Sequence, residues 1–195
     1  MFVLGLTGSI GMGKTTAAAA FRRQNVPVHD ADATVHRLMS AGGQAVGEIA
    51  RAFPTCIVDD AADRQALGAR VFGDDEALKT LEGILHPLVR REEEIFLKKH
   101  VLQGAPMAVL DIPLLFETGA EARCDAVAVV TAPDFVQRHR VMARCGMTQE
   151  KMAAILGRQI PDAEKCRRAD YIIQTGQGRS DALRKIKEIV KLICG

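Results

Sequence analysis

The chain has 195 residues, a length typical of one domain with a substantial core. Its net charge of +2 excludes a polycation that binds nucleic acid through overall charge. No apolar stretch approaches the roughly 20 residues of a membrane span, and tryptophan is absent, which argues against an aromatic platform for single-stranded nucleic acid. We therefore expect neither a membrane nor a nucleic acid as partner.

The cysteines indicate a reducing compartment. They are odd in number, widely scattered and never arranged as C-x-x-C. The first residues also lack the basic segment of a signal peptide. We expect free thiols and a cytoplasmic protein. The five cysteines are Cys56, Cys124, Cys145, Cys166 and Cys194.

A glycine-rich loop follows the first predicted strand, Phe2–Thr7. Its sequence matches G-x-x-x-x-G-K-T, the phosphate-binding loop of nucleotide-dependent proteins. Glycines let successive backbone N–H groups face phosphate oxygens, Lys14 supplies a positive charge, and the Thr15 hydroxyl can ligate Mg²⁺. The residues expected to bind ATP here are Gly8, Ser9, Ile10, Gly11, Met12, Gly13, Lys14, Thr15 and Thr16.

Two carboxylates follow the second predicted strand, Val26–His29. Asp30 and Asp32 come directly after this strand, where the carboxyl ends of parallel strands meet their ligands. Phosphoryl transfer needs a base that orients the acceptor hydroxyl, whereas aspartate is also a favoured helix N-cap. We expect one residue to serve each purpose, and the spacing does not say which.

A long helical insertion comes next. Residues 33–104 contain no convincing strand and are too long for a simple crossover, so they predict a subdomain that holds a second substrate. Within it, a lone histidine such as His86 is more often structural than functional. The predicted helices are Ala33–Met39, Ala45–Phe53, Asp63–Val71 and Asp74–His100.

The remaining strands complete an α/β sheet. Met107–Ile112 contains Asp111 near its end, the usual place of an acidic residue that reaches Mg²⁺ directly or through water. Ala126–Thr131 and Tyr171–Gln174 follow, and an amphipathic helix over Ser180–Ile193 covers the sheet.

Between the last two strands lies a helical, basic segment over 134–158. It carries Arg138, Arg140 and Arg144 and a glycine, Gly146, between its two helical parts. Two helices with a hinge would suit a lid that closes over phosphates. An ordinary surface pair of helices explains the pattern equally well.

Taken together, these motifs resemble the dephospho-coenzyme A kinase family over nearly the whole chain. The phosphate-binding loop is common to many families, but the other motifs in this order are far more specific. They are Asp30-Ala31-Asp32, Leu85-His86-Pro87, Asp111-Ile112-Pro113-Leu114-Leu115-Phe116-Glu117, Gln137-x-x-Arg140-x-x-x-Arg144 and Ala169-Asp170-Tyr171-Ile172-Ile173.

The resemblance implies ATP-dependent phosphorylation of the ribose 3′-hydroxyl of dephospho-coenzyme A, with Mg²⁺. By position, Asp32 would be the base, Lys14 would clamp phosphate, and Arg140 would lie over the transferred group with Arg144 beside the ATP. His86 and Arg64 would lie near the acceptor. These are roles that the resemblance implies.

The predicted fold is a phosphate-loop kinase with one five-stranded parallel sheet, ordered 2-3-1-4-5. Residues 1–32, 105–134 and 165–195 would form the core, residues 33–104 the acceptor insertion and residues 135–164 the lid. Position 9 is usually glycine and position 12 serine in the family, and the last strand usually leads into Asn-x-Gly rather than Gln174-Thr175-Gly176. The adenine contacts and the oligomeric state stay open.

Two other functions fit part of the pattern. One is another small-metabolite or nucleoside monophosphate kinase. The other is a nucleotide-dependent switch, which would need a GTP-specificity element such as Asn-Lys-x-Asp. The chain has no such element, and the large insertion favours a kinase.

Overall fold

Five parallel strands form the central sheet in this computed structural model, which describes residues 1–195. Their order is β2-β5-β1-β6-β7, which confirms the predicted order; the numbers differ only because two short strands precede β5. The strands are β1 (Phe2–Thr7), β2 (Val28–Asp30), β5 (Met107–Asp111), β6 (Ala126–Thr131) and β7 (Tyr171–Gln174).

The middle of this sheet is buried on both faces. Every residue of β5 and β6 is buried, as expected for parallel strands covered by helices. On one face, Leu4 and Leu6 of β1 share a core cluster with Phe21, Ile186 and Ile189. The buried strands therefore support the loops that follow their carboxyl ends.

The helices largely follow the predicted segments. One short helix, α8, was not expected, since its seven residues are mostly charged. The helices are α1 (Lys14–Arg23), α2 (Ala31–Met39), α3 (Val46–Ala52), α4 (Arg64–Val71), α5 (Asp75–Leu102), α6 (Asp134–Met142), α7 (Gln149–Gly157), α8 (Asp162–Arg168) and α9 (Arg179–Cys194). None of them is both long and apolar enough to span a membrane.

The chain divides into two compact units. The first, here the sheet unit, comprises Met1–Asp30 and Lys99–Gly195, and the second, the helical unit, is Ala31–Lys98. The helical unit starts and ends a few residues earlier than the predicted insertion, residues 33–104. The finer division into core, insertion and lid stays a prediction.

The helical unit has a core of its own. Leu38, Ile49, Phe53, Leu67 and Ala77 belong to one buried cluster within it. The expectation that this region contains no strand is wrong. Two two-residue strands, β3 (Ile57–Val58) and β4 (Ala61–Ala62), pair antiparallel, and they are too short to produce a readable alternation of apolar and polar residues.

Candidate active site

The glycine-rich loop follows β1 at the carboxyl edge of the sheet. Gly11 and Gly13 have φ values of +79° and +94°, a region that side chains rarely adopt. A Cβ atom on Gly8 would lie 2.5 Å from the carbonyl oxygen of Val130. Backbone geometry and close packing thus require glycine at these three positions of the loop, two of which are the glycines of the motif.

Side chains from distant segments hold this loop. The Gln137 amide donates to the Ile10 carbonyl at 2.8 Å, and the Ile10 N–H donates to the side-chain oxygen of Gln159 at 3.2 Å. Met12 is buried, and its sulfur accepts the Ala132 N–H at 3.2 Å. Position 12, where this chain departs from the family's usual serine, is therefore a packing position in this protein.

An ion pair joins the loop to the neighbouring strand. Lys14 Nζ lies 2.5 Å from Asp111 Oδ1, and the two side chains are 16% and 4% exposed. Because a buried charge without a partner is costly, each residue compensates the charge of the other and orients it. The pair holds a cation and an anion at the sheet edge where phosphates and a divalent ion would meet.

The structure gives Asp30 and Asp32 different surroundings. Asp30 ends the strand beside Asp111 in the register of β2 and β5, and its carboxylate lies 3.9 Å from Arg22 Nη2. Asp32 is exposed in the first turn of α2. The Asp30 side chain is thus occupied by protein groups, whereas the Asp32 carboxylate is open to a ligand.

Arg140 lies against the loop. Its Nη1 donates to Thr175 Oγ1 at 2.9 Å and to the Gly11 carbonyl at 3.4 Å, and its Nη2 donates to the Thr175 carbonyl at 2.8 Å. Arg144 is exposed just beyond the end of α6. The guanidinium of Arg140 therefore contacts the phosphate-binding loop directly and is not a solvated surface charge.

The two acceptor candidates belong to the helical unit. Arg64 begins α4, whose N-terminus is capped by the Asp63 carboxylate. His86 is exposed on α5, in a shallow groove of about 360 Å³ that Arg90 and Arg91 also line. The His86 side chain is therefore outside the core, and its role toward the acceptor stays a prediction.

The side chains of the protein do not form a complete metal-binding site by themselves. No group of three or more histidine, cysteine or acidic side chains could hold an ion. Thr15 is exposed at the start of α1, and Asp111 is the acidic residue joined to the loop through Lys14. One carboxylate and one hydroxyl fit an ion that is bound mainly by substrate phosphates, the usual manner for Mg²⁺.

Comparison with known proteins agrees with this geometry. The sequence model of the family described as CoaE, dephospho-CoA kinase, matches residues 2–181. The chain belongs to the dephospho-CoA kinase family. A relative of that name from Mesorhizobium japonicum is 56% identical over 195 residues, which cover 100% of this chain and 98% of the relative.

Solved structures support the same conclusion. A Thermus thermophilus protein, TT1252, has a TM-score of 0.86 at 37% identity and covers 100% of this chain and 98% of its own. Dephospho-CoA kinase from Campylobacter jejuni has a TM-score of 0.63 at 25% identity, covering 98% and 96%. The chain is therefore a phosphate-loop kinase, as the resemblance implied.

A buried ion pair in this member of the dephospho-CoA kinase family could not be predicted from the sequence. Lys165 of α8 is fully buried, and its Nζ lies 2.8 Å from Glu117 Oε1, which also accepts the Ile160 N–H at 2.8 Å. Glu117 stood out as the end of a motif, but Lys165 lies in a run of charges that looks solvent-exposed. Only the pairing of distant segments reveals the role of this lysine in fastening residues 160–165.

Proposed function

We propose that this protein transfers the γ-phosphoryl group of ATP to the ribose 3′-hydroxyl of dephospho-coenzyme A, the last step of coenzyme A synthesis. The observation that carries the proposal is the Lys14–Asp111 pair beside a glycine-rich loop in a chain of this family. A positive charge and ordered N–H groups at one edge suit the phosphates of ATP.

Lys14 and the loop N–H groups hold the β- and γ-phosphates in the proposed reaction. The exposed carboxylate of Asp32 accepts the proton of the 3′-hydroxyl as that oxygen attacks the γ-phosphorus. The bond from the γ-phosphorus to the bridging oxygen breaks, and ADP leaves. Asp32 is the better candidate for the base because the Asp30 carboxylate is already beside Arg22.

Thr15 and Asp111 would hold Mg²⁺ together with the nucleotide phosphates, Asp111 directly or through water. When bound, the ion neutralises charge that develops on the phosphate oxygens. Lys14 would then exchange part of its contact with Asp111 for the phosphates, since one ammonium can serve both within its reach.

The helical unit would bind the acceptor, a molecule rich in phosphate. His86 lies in a groove that two arginines and two glutamates line, and Arg64 is exposed on α4. The arginines and the histidine supply hydrogen-bond donors for phosphate. Arg140 would contact the transferred group and Arg144 the ATP phosphates, with residues 135–164 acting as a lid. The cytoplasmic location stays a prediction.

The test is ADP release by the purified protein with four acceptors: dephospho-coenzyme A, pantothenate, shikimate and adenosine. We expect kcat/KM for dephospho-coenzyme A to exceed the others by at least about 10²-fold, because a site built to hydrogen-bond one substrate rejects those that leave its polar groups unpaired. Phosphorus NMR of the product should locate the new ester at the 3′ position. Comparable turnover of another acceptor would overturn the assignment.

A further inference from the structure

We propose that Thr175, in the turn after β7, is a positioning residue that holds the phosphate-binding loop and Arg140 in their nucleotide-binding geometry. Its hydroxyl donates to the Met12 carbonyl at 2.7 Å and accepts from Arg140 Nη1 at 2.9 Å. One side chain thus joins the loop, the helix that carries Arg140 and the end of the sheet. The inference rests on the ATP-binding part of the proposed function.

The hydroxyl satisfies both contacts in only one arrangement. A threonine hydroxyl has one proton to donate and two lone pairs that accept. A guanidinium can only donate, so the hydroxyl must accept from Arg140 and direct its own proton to a carbonyl. The Met12 carbonyl is the nearer one, since the Thr131 carbonyl lies 3.4 Å away.

The contact with Met12 orients the next peptide group. In a trans peptide, the carbonyl of one residue and the N–H of the following residue point in opposite directions. No peptide bond of the chain is cis, so fixing the Met12 carbonyl on Thr175 turns the Gly13 N–H to the opposite side. That N–H immediately precedes Lys14, and it is one of the groups that the motif uses to receive phosphate.

Packing adds a second constraint at the same place. A Cβ atom on Gly13 would lie 3.2 Å from Thr175 Oγ1 and 3.4 Å from its Cβ and Cγ2. The threonine therefore occupies the space that the missing side chain leaves. Thr175 is itself fastened to the sheet, because its N–H donates to the Thr131 carbonyl at 2.9 Å.

Thr175 also determines where Arg140 rests. The guanidinium uses Nη1 on the hydroxyl and Nη2 on the carbonyl of the same residue. The guanidinium has five N–H donors, so N–H groups outside these bonds are left for a ligand phosphoryl group. The threonine thus keeps the arginine beside the loop, where a charged acceptor would bind.

The test compares Thr175→Val, which removes the hydroxyl at nearly constant volume, with Thr175→Ser, which keeps it. Binding of a non-hydrolysable ATP analogue with Mg²⁺ is measured without acceptor, alongside Tm. We expect Thr175→Val to raise Kd about 5- to 20-fold and Thr175→Ser to stay within about threefold of wild type. Thr118→Val is the matched control, because it removes a threonine hydroxyl bonded to a carbonyl, that of Leu114 at 2.8 Å.

A double variant tests the link to Arg140. If part of the hydroxyl's effect acts through the guanidinium, the rise in Kd of the double variant should be at least about twofold smaller than the product of the two single rises. Equal analogue binding by Thr175→Val and wild type would overturn the inference, as would equal losses in the valine and serine variants or full additivity with Arg140→Met. Failure of the wild type to bind the analogue would instead overturn the proposed function.

Discussion

The sheet unit and the helical unit differ in how far their candidate residues are already bound by the protein. In the sheet unit, Lys14 is paired with Asp111, Met12 is buried, and Arg140 makes three hydrogen bonds. In the helical unit, Arg64 and His86 are exposed. The residues proposed to bind the nucleotide are therefore already held in place by the protein, whereas those proposed to bind the acceptor are exposed to a ligand.

This difference gives a general expectation for variants. Changes in the sheet unit should alter stability and ATP affinity together, because the same bonds support both. Changes at exposed residues of the helical unit should alter the acceptor or the chemistry and leave Tm unchanged. Measurements of Tm and of the two ligand affinities for each variant test this difference between the two units.

Asp32→Asn should have the largest effect. The side chain stays nearly the same size but loses its ability to accept a proton, so we expect kcat to fall about 10²- to 10⁴-fold. Because Asp32 is exposed, Tm and ATP affinity should hardly change. Steady-state kinetics and calorimetric binding provide the measurement. A kcat above a third of wild type would assign the base elsewhere, and Asp30→Asn is the matched variant to test next.

Lys14→Ala should weaken ATP binding about 10²-fold, with little effect on the acceptor. In the proposed function the ammonium binds phosphate, and removing it also takes the ion-pair lysine away from the 4% exposed Asp111 carboxylate, so Tm should also fall. Separate titrations of each ligand check this. Equal losses for both ligands would mean that the loop has collapsed or that the acceptor site is elsewhere.

Arg140→Lys should lower kcat about tenfold, even though the charge is kept. A guanidinium bonds two acceptors in a fixed fork, as it does with Thr175, and an ammonium cannot reproduce that geometry. An unchanged KM for ATP would indicate a contact made only in the transition state. Arg138→Lys and Arg144→Lys are the controls. If Arg144→Lys alone is impaired, the key arginine is Arg144, beyond the end of α6, and if all three are silent, the lid hypothesis is wrong.

His86→Ala should raise KM for dephospho-coenzyme A about three- to tenfold, the cost of one lost polar contact. ATP affinity and Tm should stay at wild-type values, because the side chain is exposed on α5. Kinetics with each substrate varied in turn test this expectation. A fall in Tm with an unchanged KM would contradict both the acceptor role and the contrast between the two units.

Asp74→Ala should have the smallest effect, a fall in Tm of a few degrees without a change in either KM. The Asp74 carboxylate accepts the Ala77 N–H at 2.9 Å, and this bond, together with Arg70, lowers its pKa below 3.8. A carboxylate whose pKa is lower in the folded state than in the unfolded state stabilises the fold at pH values above the unfolded-state pKa. This stabilisation is lost as the pH falls through the folded-state pKa. The difference in Tm should therefore be present at pH 7 and disappear in acid. Asp74→Asn, which can still cap the helix, is the control.

Features that depend on neighbouring residues could be predicted from the sequence. The strand runs, the phosphate-binding loop and the Asp63 and Asp74 helix starts are local, because backbone geometry, glycine conformation and capping act within a few residues. The motif order also indicated the family. Apolar runs of five or six residues predicted β1, β5 and β6 well, whereas β3 and β4 were too short to leave a periodic signal.

Contacts between distant groups depend on the tertiary fold and could not be predicted from the sequence. Thr175 and Met12 are 163 positions apart, Ile10 and Gln159 are 149 apart, and nothing in their local sequence marks them as partners. The charged residues around Lys165 in the sequence suggest an exposed side chain, whereas the structure buries this lysine against Glu117. Hydrogen bonds and ion pairs depend on a few ångströms between side chains, and those distances follow from how the strands and helices pack together.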